Sequence, residues 1–155
     1  MLSRALLAGL ALAPVLLGQV GQPLVVTPPM KAVAARNGVL TAKIAVQVRN
    51  SYHVNSNTPN DEYLIPLILT GESSLLDPRE TVYPKPEMQS FSFSAKPVSV
   101  YSGVFEIVTR FAVPAKAPLG SAVVGGKLRY QACNDTMCLP PRTLDVRLPV
   151  ELRAQ

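Results

Sequence analysis

Cys133 and Cys138 stand with four residues between them in the run Tyr130-Gln131-Ala132-Cys133-Asn134-Asp135-Thr136-Met137-Cys138-Leu139-Pro140-Pro141. They are the only two cysteines of the chain, and three chemistries are open to such a pair. It can staple a loop as a disulfide, exchange with another disulfide, or bind a soft metal as thiolates. Closing so short a loop contributes only about 2 kcal/mol by chain-entropy arguments, less than a long-range bridge gives. Small-loop bridges at strand ends are exposed and easily strained, and therefore reducible. Spacing alone puts redox exchange only slightly ahead of the staple. A soft-metal site would draw on Cys133, Cys138, Met137 and His53. It is the weakest reading, because no His or Met cluster adds ligands and the cysteines oxidise on export.

What positions these residues is one domain, since 155 residues hardly allow two. With 48% apolar and 16% charged residues, a disordered or solvating chain is excluded. Fifteen prolines and nine glycines speak against a helical bundle and for short strands joined by turns. The net charge of +5 is spread from Lys31 to Arg153 without a basic stripe or interleaved aromatics, so no nucleic-acid partner is expected. At the start, Arg4 precedes an apolar run from Ala5 to Leu17, broken by Pro14. That run is shorter than the roughly 20 residues of a spanning helix and matches a secretory signal. Residues 1–18 are read as a signal peptide, with cleavage between 18 and 21, and residues 22–155 as the exported domain. No later apolar run reaches spanning length, so stable membrane insertion after cleavage is not expected. Export makes a Cys133–Cys138 disulfide the default.

The exported part reads as strands. Asn37-Gly38 before the alternating Leu40, Ala42, Ile44, Val46 and Val48 predicts a hairpin. Leu64–Thr70, interrupted by Pro66, suits an edge strand or one with a bulge. Phe105 to Val113, Lys127 to Ala132 and Leu144 to Glu151 all alternate with period two. About seven strands with turns between them predict an immunoglobulin-like antiparallel β-sandwich. The stretch from Gly71 to Gly103, with Pro78, Pro84, Pro86 and Pro97, is expected to be a long irregular, functional connection. In its middle lies Phe91-Ser92-Phe93-Ser94, one of whose rings is expected to be an ordinary core residue.

The cysteine segment resembles the active-site hairpin of the N-terminal periplasmic domain of DsbD, the bacterial thiol:disulfide interchange protein. Tyr130, Gln131, Cys133, Asp135, Cys138, Pro140 and Pro141 carry the resemblance. Weaker similarity at Ser51–Asn57 and in the apolar strands extends it over Leu24 to Leu152. The resemblance implies a periplasmic domain that passes reducing equivalents by dithiol–disulfide exchange, with no bound cofactor. It also implies that Cys138 bonds to partners and Cys133 resolves the mixed disulfide. Tyr130, Asp135, Pro140, Tyr52 and His53 become the neighbours of the pair, with Tyr52 and His53 as candidates for the thiol's proton acceptor. Lys127, Arg129 and Arg142 favour a thiolate and Asp135 opposes it. A cap loop with a covering aromatic corresponds to Phe91 and Phe93, Phe93 being preferred. Serines stand where the family's cap carries acidic residues. With no membrane conduit before Gln155, the implied partners act in trans: thioredoxin-like proteins and a DsbD-type membrane electron conduit. The alternative is a secreted immunoglobulin-like binding module with a structural disulfide.

Overall fold

The computed structural model describes residues 21–155. The signal-peptide reading falls outside the described residues. Twelve strands form among them, in three four-stranded sheets. The first sheet orders β1 (Leu24–Thr27), β3 (Val39–Val48), β9 (Val104–Ala112) and β6 (Asp77–Val82). The second orders β2 (Ala32–Ala35), β12 (Arg142–Arg153), β10 (Gly120–Tyr130) and β5 (Ile68–Glu72). Period-two alternation decides which faces meet. Leu40, Ala42, Ile44 and Val46 of β3, with Ile107 and Phe111 of β9, are buried against Val124 and Leu128 of β10 and Val146, Leu148, Val150 and Leu152 of β12. This is the two-layer core of an immunoglobulin-like β-sandwich.

The third sheet is small and orders β11 (Ala132–Cys133), β4 (His53–Asn55), β8 (Val98–Tyr101) and β7 (Glu87–Gln89). It is continuous with the sandwich through one residue, Gln131, because β10 ends at Tyr130 and β11 begins at Ala132. The strand that anchors the core thus delivers the first cysteine to a separate sheet.

Four expectations are corrected or refined. Asn37-Gly38 does not close a hairpin: β2 and β3 lie in different sheets, and the turn carries the chain from one layer to the other. A two-residue I′ hairpin needs positive φ at both central residues. Asn37 has φ of 58°, whereas positive φ among the described glycines is confined to Gly103 and Gly120. The turn is closed by Gly38 N to Ala35 O and held from outside by Arg36 N to Arg153 O and Asn37 N to Val113 O. Second, the expected antiparallel sandwich is present but carries one parallel pair at its edge, β2 with β12. Third, Gly71–Gly103 is not irregular but contains β6, β7 and β8, so the strand number exceeds seven. Fourth, neither Phe91 nor Phe93 belongs to a strand or to the hydrophobic core; both lie in the β7–β8 connection. The edge-strand expectation for Leu64–Thr70 holds at its C-terminal half, where β5 is the edge of its sheet and Pro66 precedes it.

Candidate functional site

After β11 the chain makes a tight reversal built by Asn134. Its side-chain Oδ1 accepts from Thr136 N at 3.0 Å, Thr136 Oγ1 at 3.0 Å and Met137 N at 2.9 Å. Asn134 N then bonds Met137 O at 2.9 Å and Leu139 N bonds Ala132 O at 2.8 Å. Between those two bonds Cys133 and Cys138 face each other across a two-stranded ladder, with Cα atoms 3.9 Å apart and the sulfurs bonded at 2.06 Å. Cys133 is completely buried, while Cys138 is half-buried and Pro140 and Pro141 beyond it are exposed. Neither sulfur is part of the sandwich's core cluster.

Gln131, at the junction between sheets, fixes both flanks of this reversal. Its Oε1 accepts from Asn55 Nδ2 at 3.2 Å and Ile65 N at 3.3 Å, and its Nε2 donates to Leu139 O at 3.3 Å. Asn55 Nδ2 also donates to Ile65 O at 3.0 Å. One amide thus ties together the end of β4, the β4–β5 connection and the segment leaving Cys138. Reading the sequence alone gives Gln131 no such role, because its partners are 66 and 76 positions away.

The expected neighbours divide into those the fold gathers and those it does not. His53 stands opposite Cys133 in the β4–β11 register and is only 3% exposed. Burial lowers its pKa below the ordinary 6.5, and the charge of Asp135 pulls in the other direction. Phe91 stacks on the His53 ring at 3.9 Å between centroids, and Phe93 lies nearly parallel to both, 5.2 Å from Phe91 and 6.2 Å from His53, giving a cluster of three near-parallel rings. Phe91 is therefore the ring nearer His53; Phe93, the ring preferred from the sequence, is the farther one and 38% exposed. Ser92, between them, donates its hydroxyl to Asp135 O at 2.7 Å, which fastens the Phe91–Phe93 loop to the disulfide loop. Asp135 itself is exposed. Tyr52 instead packs against the sandwich core.

Tyr130 also serves the core and is 1% exposed, and its hydroxyl has no partner. Burial raises its pKa above 10.0, with Arg142 opposing. Among the described residues, the buried side-chain polar atoms without a partner are His53 Nε2, Asn55 Oδ1 and Tyr130 OH. A hydroxyl that is desolvated without a bond stabilises nothing. Tyr130→Phe is thus expected to leave stability unchanged or raise it by up to about 1 kcal/mol. Denaturant unfolding checks this, and a loss above about 1 kcal/mol would contradict it. No group of three or more His, Cys, Asp or Glu suited to a metal occurs among the described residues.

Comparison with known proteins places this geometry. The comparison with curated proteins finds no match. Among solved structures, the N-terminal periplasmic domain of ScsB from Proteus mirabilis superimposes with a TM-score of 0.57 at 13% identity. The match covers 84% of this chain and 47% of that one, so the chain spans about half the length of its solved counterpart. A family 123 glycoside hydrolase from Clostridium perfringens matches over 86% of this chain and 28% of its own, at 13% identity and a TM-score of 0.34. A likeness that loose carries no argument. The family described as the N-terminal part of the thiol:disulfide interchange protein DsbD matches residues 22–149. With its disulfide hairpin on a sheet outside the sandwich core, the chain belongs to the DsbD N-terminal domain family.

Proposed function

We propose that this domain carries out thiol–disulfide exchange through Cys133 and Cys138. It passes reducing equivalents in the periplasm from a membrane or thioredoxin-like donor to exported partner proteins. Supply in trans by a DsbD-type membrane conduit, and export directed by residues 1–18, belong to the same reading. The observation that carries it is the placement of the disulfide. It closes a short hairpin at the rim of a small third sheet, with one sulfur half-buried and the other enclosed, and the loop carrying Phe91 and Phe93 bonds to that hairpin from outside the core. A core bridge would join the two layers, and this one joins residues five apart.

The chemistry follows from the exposure difference. In the reduced pair, the Cys138 thiolate attacks a partner disulfide and expels one partner thiolate. Cys133 then attacks Cys138, the partner's second sulfur leaves as thiolate, and the intramolecular disulfide forms. Two electrons pass to the partner, and the reverse sequence recharges the pair. Pro140-Pro141 lacks two N–H groups and has fixed φ, which stiffens the chain beyond the attacking sulfur.

The reduction potential tests this reading. An exchanger is expected between about −270 and −180 mV, the span from thioredoxin to disulfide isomerase. Equilibration with glutathione buffers measures it. A value below about −300 mV would make the bridge structural and favour a non-redox binding module.

A further inference from the structure

His53 is the one histidine of the chain and sits deep in the third sheet, although an imidazole brings two polar nitrogens into that setting. Its Nε2 has no hydrogen-bond partner. Its strand partner is Cys133. Directly opposed residues of an antiparallel pair project from the same face with Cβ atoms about 4.5–5.5 Å apart. Phe91 lies over the ring, and the loop carrying it is fastened to the disulfide loop by a hydrogen bond from Ser92 to Asp135 O. The imidazole is therefore placed between the enclosed cysteine and a removable aromatic cover, with one nitrogen uncommitted.

We propose that His53 is the proton acceptor for Cys133 when the mixed disulfide is resolved, an inference that rests on the exchange reading above. Cys133 begins as a thiol. As its sulfur attacks Cys138, its proton passes to Nε2 of His53, the Cys133–Cys138 bond forms and the Cys138–partner bond breaks. The departing electron pair stays on the partner's sulfur, which is protonated by the imidazolium or by water. The pair ends oxidised, the partner reduced and His53 neutral. Cys138 is the less buried of the two sulfurs, so a base enclosed beside Cys133 serves the resolving step and not the first attack.

Electrostatics at this position suits a base. Burial keeps His53 neutral at pH 7, and Asp135 is the charged group acting on it among the described residues. The cap contributes only phenyl rings and the Ser92 hydroxyl. A thiol of ordinary pKa near 8.5 is only about 3% ionised at pH 7. A base that removes the need for prior ionisation can therefore gain at most roughly 30-fold.

The experiment follows the reaction of the reduced full chain with 5,5′-dithiobis(2-nitrobenzoate). The first thionitrobenzoate released reports attack by Cys138, and the second reports resolution by Cys133. In the wild type the second phase is expected to be level between about pH 6.5 and 8, because neutral His53 and protonated Cys133 coexist throughout. His53→Phe keeps a ring for Phe91 to stack on but removes the base. Its second phase should be roughly 10-fold slower at pH 7 and rise about 10-fold per pH unit, while its first phase is unchanged. His53→Asn provides a second variant lacking the base. Equal second-phase rates and slopes in wild type and variants would overturn the role of His53 while leaving exchange intact. A uniform slowing of both phases would mark a structural role and also overturn it. If neither variant folds, a wild-type second phase that itself climbs 10-fold per pH unit overturns the proposal, and a level one supports it. No second phase in the wild type would instead defeat the exchange reading.

Discussion

Phe91→Ala is expected to expose the reduced cysteine pair to small alkylating agents, raising the rate of iodoacetamide labelling roughly 10-fold. The ring makes two aromatic contacts, with His53 at 3.9 Å and with Phe93 at 5.2 Å. Each stacked pair is worth about 0.5–1.5 kcal/mol beyond area burial, so losing both shifts the cap's opening equilibrium by about 1–3 kcal/mol. Every 1.4 kcal/mol corresponds to a factor of 10 in exposure of the thiols. Phe93→Ala leaves the close Phe91–His53 stack in place and should act several-fold less. Ser92→Ala removes the bond to Asp135 O and should fall between the two. All three should retain cooperative unfolding, because the cap lies outside the core cluster. Unchanged labelling in Phe91→Ala would show that the loop gates nothing.

The sandwich was legible because it rests on a local signal. Alternation in Val39–Val48, Val104–Ala112 and Arg142–Arg153 reads directly as one buried and one exposed face. Which strands pair is a long-range matter, and there the signal failed. Asn37-Gly38 has the composition of a hairpin turn and closes locally, yet where it leads the chain is set by its bonds to Val113 and Arg153, which no local window contains. The prolines at 84, 86 and 97 concealed β7 and β8, whose strands are short and whose pairing avoids those positions.

The site divides in the same way. The cysteines announce themselves by type and spacing, and the cap by its two phenylalanines. The order of the rings was not readable, because Phe91 and Phe93 are equivalent in sequence and differ only in how closely each approaches His53. His53 gains its meaning from the register that sets it against Cys133, 80 positions on. Gln131 looks like any polar residue between two buried ones, and its clamp exists only once Asn55, Ile65 and Leu139 converge on it.

Division of labour between the cysteines has the largest expected consequence. A mixed disulfide persists only if no second thiol is near enough to displace it. Cys133 is completely buried and directly opposite Cys138, so it is placed to resolve and poorly placed to be reached. Cys138 is half-buried at the open side of the reversal, followed by a stiff Leu139-Pro140-Pro141 segment. The direct measurement incubates reduced Cys133→Ser and Cys138→Ser separately with a disulfide-bearing thioredoxin-like protein and follows covalent complexes by non-reducing electrophoresis. Cys133→Ser should accumulate the complex and release it on adding dithiothreitol, while Cys138→Ser should accumulate much less. Accumulation in Cys138→Ser alone would reverse the two roles, and no complex from either variant would contradict exchange at this site.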